Sequence, residues 1–301
     1  MNGIINVYKE AGYTSFDVVA KLRGILREKK IGHTGTLDPE ATGVLPVCIG
    51  NATKVCALLT DKDKVYEAVL RLGITTDTQD ATGTVLSDHG GQAACLDEQT
   101  VRDAIMDFVG SYEQIPPMYS ALKVGGRRLC DLAREGIEVE RKARTVQIYE
   151  ITISKIELPC VTMQVHCSKG TYIRTLCADI GERLGVGGMM KSLVRTRVSC
   201  FSLEEAHTLA QIEEYRDCGR LDEILLPVDG VFDNLPQLQI SASAEAQKKL
   251  RNGNRLERDD LTGDSGGASS GCRVYDADGR FCGIYEWDAA RGDYKCKKMF
   301  L

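Results

Sequence analysis

Hydrophobic and polar positions change period several times along the chain, and each change marks an element. Ile4, Ile5 and Val7 form a first apolar run that stops at Lys9 and the Gly12 turn. Thr14 and Asp17 have the spacing of a capping box, and Val18, Val19, Leu22, Ile25 and Leu26 recur on one helical face, with Lys21, Arg23 and Arg27 mostly off it. Residues 44–49 are an unbroken apolar strand, after which Asn51 is placed to cap a short helix reaching about residue 59. From Lys64 the period becomes two, so Tyr66, Ala68, Leu70 and Leu72 share one face of a strand. A helical stripe of Val101, Ala104, Ile105 and Phe108 follows over residues 97–109. Strands at 145–156 and 161–168 flank Pro159 as a hairpin, Leu176, Ile180 and Leu184 mark a helix ending at Gly185, and a strand around 193–201 leads into helical stretches to about 226.

Residues 227–236, which begin and end with proline, read as a boundary. Beyond it lie a short helix at 244–250, a flexible glycine- and serine-rich stretch at 263–271, and alternating segments at 273–275 and 281–287. The pattern predicts an α+β fold, a mixed β-sheet with flanking helices over residues 1–235, and a small β-rich, barrel-like domain over 236–301.

Between the periodic segments, residues 32–46 carry three glycines, two prolines, a histidine and an aspartate with almost no usable period, which is loop chemistry. Asp38 precedes Pro39, which biases it toward an extended backbone with its carboxylate aimed one way. That suits a nucleophile or charge stabiliser; an aspartate capping the following turn is the other reading, and spacing leaves both open. After the strand at 161–168, an extended path through Lys169 to Arg174 would set Tyr172 and Arg174 on the same side. Asp77 and Asp80 lie three apart in a turn-rich stretch, where a hydrogen-bonded turn is preferred to a metal loop because no further ligands follow in register.

Composition changes this picture little. The twelve cysteines form no C-x-x-C pair and the four histidines no ligand spacing, so reduced, mostly buried thiols are expected rather than disulfides or a metal. A formal net charge of -5 weighs against nucleic-acid binding, yet Lys21, Arg23, Arg27, Lys29 and Lys30 face only Glu28, and a second basic cluster runs from Lys123 to Arg144. One basic face on an acidic protein fits both facts. No membrane-length apolar run and no signal-peptide pattern occur, so a cytoplasmic protein is expected.

The stretch GHTGTLDPEATGVLP resembles the signature of the bacterial TruB-type tRNA pseudouridine-55 synthases. Lys64-Val65-Tyr66, the segment from Ser168 to Arg174, and Leu193 within Ser192-Leu193-Val194-Arg195 match further pieces of that family in order. The resemblance implies the pseudouridine synthase fold with a C-terminal PUA-like RNA-binding module. It implies isomerisation of a T-loop uridine of tRNA without metal, organic cofactor or guide RNA. A monomer with no membrane attachment is expected, though the sequence leaves the oligomeric state open. It also implies roles: Asp38 as catalyst, Arg174 as its cationic partner, and Tyr66 against the flipped uracil with a hydroxyl able to help remove the C5 proton. Tyr172 and Leu193 would wall the pocket, and His33 would enter the RNA loop where the base had been. Whether Asp38 attacks the sugar or promotes elimination stays open. A second, compatible activity is assistance to tRNA folding, because reaching a T-loop base requires opening the tRNA elbow. A glycoside- or phosphate-processing enzyme is disfavoured, since neither a second well-placed carboxylate nor a phosphate-binding glycine loop with lysine is found. One departure stands out: the family commonly has Lys-Pro near the N-terminus, where this chain has Lys9-Glu10.

Overall fold

A computed structural model describes residues 1–263 and 271–301, so the expected flexible stretch, apart from its end glycines, lies outside the described residues. In chain order the large unit contains β1 (Gly3–Lys9), α1 (Ser15–Leu26), β2 (Ile31–His33), β3 (Thr42–Ile49), α2 (Cys56–Thr60), β4 (Lys64–Leu72), β5 (Ile74–Thr76), β6 (Val85–Asp88), α3 (Gly90–Ala93) and α4 (Glu98–Met106). It continues with β7 (Gly110–Gln114), β8 (Lys123–Val124), β9 (Arg127–Arg128), α5 (Leu129–Arg134), β10 (Arg144–Glu157), β11 (Cys160–Cys167), α6 (Ile173–Arg183), β12 (Gly188–Val198), β13 (Phe201–Ser202) and α7 (Leu209–Asp217). Then come β14 (Gln237–Ile240), α8 (Ala244–Arg251), β15 (Leu261–Thr262), β16 (Cys272–Tyr275), β17 (Phe281–Asp288) and β18 (Asp293–Met299).

Nine strands make one sheet in the order β1-β3-β12-β4-β11-β10-β7, with β2 on β3 and β13 on β12. All its pairings are antiparallel except β3 with β12, which meet in parallel over only two residue pairs, Thr42 with Val194 and Gly43 with Arg195. Gly43 is required at that seam. Its φ is 104°, and a Cβ there would lie 2.3 Å from the Arg195 carbonyl oxygen. One core packs α6 and α4 against β4, β11 and β10 through Leu70, Val165, Leu176, Ile180 and Ile105, while α1 and α7 cover β1 and β3 on another. The Thr14 and Asp17 capping box forms, and the α1 face of Val18, Val19 and Leu22 is buried.

Three local expectations differ from what is found. Asn51 does not cap a helix: residues 50–55 form a 3-10 turn entered from Ile49, and the Asn51 N–H instead donates to Asn2 Oδ1 (2.7 Å). The strand expected at 193–201 starts earlier, at Gly188, and breaks at Ser199, whose positive φ of 53° turns the chain into β13. The motif stretch is not all loop, because His33 ends β2 and Gly43 to Pro46 lie within β3.

Beyond residue 236, β15, β14, β16, β17 and β18 form a second sheet over its own core, with α8 against it. Among the described residues it is a five-stranded sheet, extended by a bridge between Leu256 and Tyr294. Ile284 and Phe300 pack with Ile4, Val44 and Cys48, so the small sheet braces β1 and β3 from behind.

Gly43→Ala is expected to lower stability by about 2–4 kcal/mol, combining left-handed strain with overpacking at the seam. Urea unfolding measures this, and an unchanged midpoint would contradict the steric account.

Candidate active site

Residues 34–41 connect β2 to β3 and present Asp38 beside the seam. The loop is tied down on all sides. Leu37 and Ala41 are buried in the core that contains Tyr66 and Leu193, and the Leu37 N–H donates to Ser15 Oγ in the first turn of α1 (2.9 Å). Lys9, fully buried at the end of β1, donates from Nζ to the carbonyls of Glu10 (3.0 Å), Pro39 (2.8 Å) and Ala41 (2.7 Å). Burial pulls that ammonium down to about 8, against the opposing charges of Glu40 and Asp38. The missing proline after Lys9 therefore leaves the turn with another clamp, since Gly12 N–H also donates to Pro39 O (3.0 Å).

The two readings of Asp38 now separate. Its backbone carbonyl closes the turn by accepting from Ala41 N–H (3.1 Å), while its carboxylate accepts from Arg174 Nη2 at 3.3 Å. The side chain is not spent on capping. Arg174 does not arrive by an extended path: Tyr172 is the N-cap residue of α6, and Arg174 lies in the first helical turn. Its side chain is 7% exposed against 36% for Asp38, so the cation is the buried member of the pair. Nη2 also donates to Tyr119 O (2.7 Å), and Nη1 lies 3.7 Å from Asp80 Oδ2.

Asp80 sits in the expected hydrogen-bonded turn, where Oδ1 accepts from Thr82 N–H (2.9 Å), Thr82 Oγ1 (2.6 Å) and Thr78 Oγ1 (2.7 Å). Its other oxygen makes it a second carboxylate on Arg174, a role the spacing of Asp77 and Asp80 did not reveal. Burial pushes the Asp38 carboxyl above its ordinary value; Arg174 pulls it down, Asp80 raises it, and Lys9 lowers it. The net direction is upward, so the carboxyl is more basic than an ordinary aspartate despite the shared guanidinium.

Tyr66 on β4 and Leu193 on β12 are buried in the same cluster as Leu37. Burial also raises the Tyr66 hydroxyl, with the charge of Asp38 a smaller contribution in the same direction. Tyr172 is gripped at its backbone by the buried Gln114 side chain, which accepts from Tyr172 N–H (2.8 Å) and donates to Tyr172 O (3.0 Å). Gln114 Nε2 also donates to Tyr112 Oη (3.3 Å), which in turn donates to Asp179 on α6. This chain fixes where α6 starts and so where Arg174 points.

His33 stands apart from the Asp38 pair. It occupies the end of β2 and accepts at Nδ1 from its own loop, Gly35 N–H, at 3.3 Å. Burial and the charge of Arg195 hold its imidazole below the usual range, so it is neutral near pH 7. Lys9, Asp80, Gln114 and Arg195 are the neighbours that pattern reading passed over. Only Arg195 had an available signal, as the residue two along from Leu193 on one strand face.

Residues 23–173 match the family model described as TruB family pseudouridylate synthase (N terminal domain), and 174–233 match tRNA pseudouridylate synthase B C-terminal domain. The chain belongs to the TruB family of pseudouridylate synthases. A tRNA pseudouridine synthase B of Lachnoclostridium phytofermentans is 54% identical over 312 residues, covering 100% of both chains. One of Alkaliphilus oremlandii is 48% identical over 85% of this chain and 83% of its own. Among solved structures, a Cbf5-Nop10-Gar1 complex aligns with TM-score 0.73 and 26% identity over 99% of this chain and 85% of that one. This TruB-family chain thus has the pseudouridine synthase fold, with His33, Asp38, Tyr66 and Tyr172 in the first matched region and Arg174 and Leu193 in the second.

If Asp38 reacts as its carboxylate, activity is lost as pH falls through its raised value, and the acid limb of kcat/KM lies above 3.8. Arg174→Gln removes the main downward pull, so the limb moves to higher pH and turnover at neutral pH falls roughly ten- to hundredfold. A pH–rate profile checks this; an unmoved limb would show that Arg174 does not hold the charge.

Proposed function

We propose that this TruB-family enzyme converts the uridine at T-loop position 55 of tRNA to pseudouridine, with Asp38 as the catalytic carboxylate. The observation that carries this reading is the Asp38 carboxylate, left out of its own turn and aimed at Arg174 beside the buried ring of Tyr66. Cleavage of the bond between uracil N1 and the ribose C1′ needs an ionised group at the sugar, and Asp38 supplies it. Tyr66 and Leu193 hold the detached base against the pocket wall while it turns, and Tyr172 backs Arg174. Rejoining through C5 leaves a proton to be removed, a task suited to the Tyr66 oxygen. The reactants and products differ only in connectivity, so the chemistry requires no redox partner.

A base in a folded T-loop must leave its stack to reach this pocket, at a cost of a few kcal/mol. Neutral His33, at the rim of the same loop, is suited to stack in the space the base vacates. Opening the elbow in this way also supports assistance to tRNA folding as a by-product of binding. Residues 1–235 would then form the catalytic unit, and 236–301 an RNA-binding module that extends the contact. For the approach of the tRNA, Lys21, Arg23, Arg27, Lys29 and Lys30 are all exposed on and after α1, with Arg23 over the exposed ring of Phe16. The later cluster is less available, because Arg127 pairs with Glu135, and Arg128 and Arg134 with Asp131.

Incubation of an unmodified tRNA transcript with the protein alone, followed by carbodiimide mapping, should give a stop at position 55 and no other. No stop, or a stop outside the T-loop, would sink the assignment. Arg23→Glu should weaken tRNA binding with little change in kcat and flatten its salt dependence by about one ion or more; an unchanged salt slope would remove α1 from the RNA path.

A further inference from the structure

Arg195 is among the largest fully buried side chains, 1% exposed, and among the described residues no carboxylate stands within ion-pair distance of it. Its Nε donates to Val44 O (2.7 Å) and its Nη2 to Gly35 O (3.2 Å), so two carbonyls take the place of a counter-ion. Both carbonyls belong to segments flanking Asp38. The groups whose ionisation its charge affects are Lys9 on β1, His33 on β2, and Lys64 and Tyr66 on β4. Of these four, only Tyr66 can become negative. It is also the residue directly opposite Arg195 across the β4 and β12 pair, where side chains stand on the same face.

We propose that Arg195 is a positioning residue for the isomerisation, fixing the Gly35 end of the Asp38 loop and holding Tyr66 so that its oxygen can act as a phenolate. This rests on the reading of the Asp38 pocket as the uridine site. In the final step the C5–H bond gives its proton to the Tyr66 oxygen and its electron pair to a new C5–C6 double bond, while the C6–N1 double bond of the turned base opens onto N1, which takes a proton from solvent. Tyr66 is left as the neutral phenol, and its proton passes to solvent before the next turnover. A buried guanidinium facing a phenolate leaves the pair neutral overall, which is the arrangement a dry pocket favours. Burial is the largest influence on the Tyr66 hydroxyl and raises it, and the charge of Asp38 adds to that, so Arg195 is the group that acts the other way.

Substrate-free protein tests this directly. Tyr66 ionisation is read as the tyrosinate absorbance lost on Tyr66→Phe, in the wild-type, Arg195→Lys and Arg195→Gln backgrounds. The expected result is ionisation about one pH unit or more higher in Arg195→Gln than in wild type, with Arg195→Lys close to wild type. With tRNA, Arg195→Gln should lose about tenfold or more in kcat with KM within about twofold, and adding it to Tyr66→Phe should cost little more. Identical Tyr66 ionisation in all three backgrounds, or kinetic losses that simply add, would overturn the proposal. If Arg195→Gln does not fold, Arg195→Met takes its place beside Arg195→Lys: a Tyr66 titration about one pH unit higher in Met but not in Lys supports the proposal, and an unmoved titration in Met overturns it. Wild-type protein that shows the Tyr66 titration yet forms no pseudouridine would instead remove the functional reading, leaving the electrostatic pairing in place.

Discussion

The Asp38 carboxylate and the Arg174 guanidinium meet across two parts of the chain that share no local sequence, and the site depends on that meeting. Arg174 is deeply buried, and a buried cation needs charge-bearing or dipolar partners. Asp38, Asp80 and the Tyr119 carbonyl supply them from three separate loops. Removing any one leaves the others to compensate a charge that water cannot reach. The same arrangement suits the proposed chemistry, because Asp38 is the more open of the two acids in that set.

Loops are ordinarily the soft parts of a fold, yet the Asp38 loop is fastened at nearly every residue. Lys9 and Arg195 are both fully buried cations, and both spend their donors on backbone carbonyls at or beside this loop. Ser15 adds a hydrogen bond at Leu37, and Gly43 admits the Arg195 backbone close enough for the parallel seam to form. In the proposed reaction, a carboxylate placed this rigidly would cost little reorganisation as charge develops at the sugar. The small C-terminal sheet, packed behind β1 and β3, braces the strands from which these anchors project.

The periodic elements were legible because burial imposes a period. Tyr66, Ala68, Leu70 and Leu72 on β4, and Val18, Val19 and Leu22 on α1, announce their faces in the sequence alone. The motif loop was legible as loop chemistry, and its likeness to TruB-type enzymes named Asp38, which spacing by itself left divided between catalyst and cap. What pattern could not give was the geometry of long-range polar contacts. Alternation of Tyr172 and Arg174 predicts an extended path, but Gln114 grips the Tyr172 backbone and α6 begins one residue later. Asp80 looked like a turn residue and is one, with its second oxygen turned to Arg174. Lys9 carries no periodic mark of burial, since its partners are the carbonyls of Glu10, Pro39 and Ala41, outside any strand, whereas Arg195 shares a strand face with Leu193 but is charged.

The most direct test of the central claim is tritium release from tRNA labelled at uridine C5, measured for wild type and for Asp38→Asn protein that still folds and binds tRNA. The account predicts release by wild type and a fall on the order of 10^4-fold in the variant, with tRNA affinity little changed. Sustained release by Asp38→Asn would contradict it, because the carboxylate around which Lys9, Arg174 and Arg195 are arranged would then be dispensable.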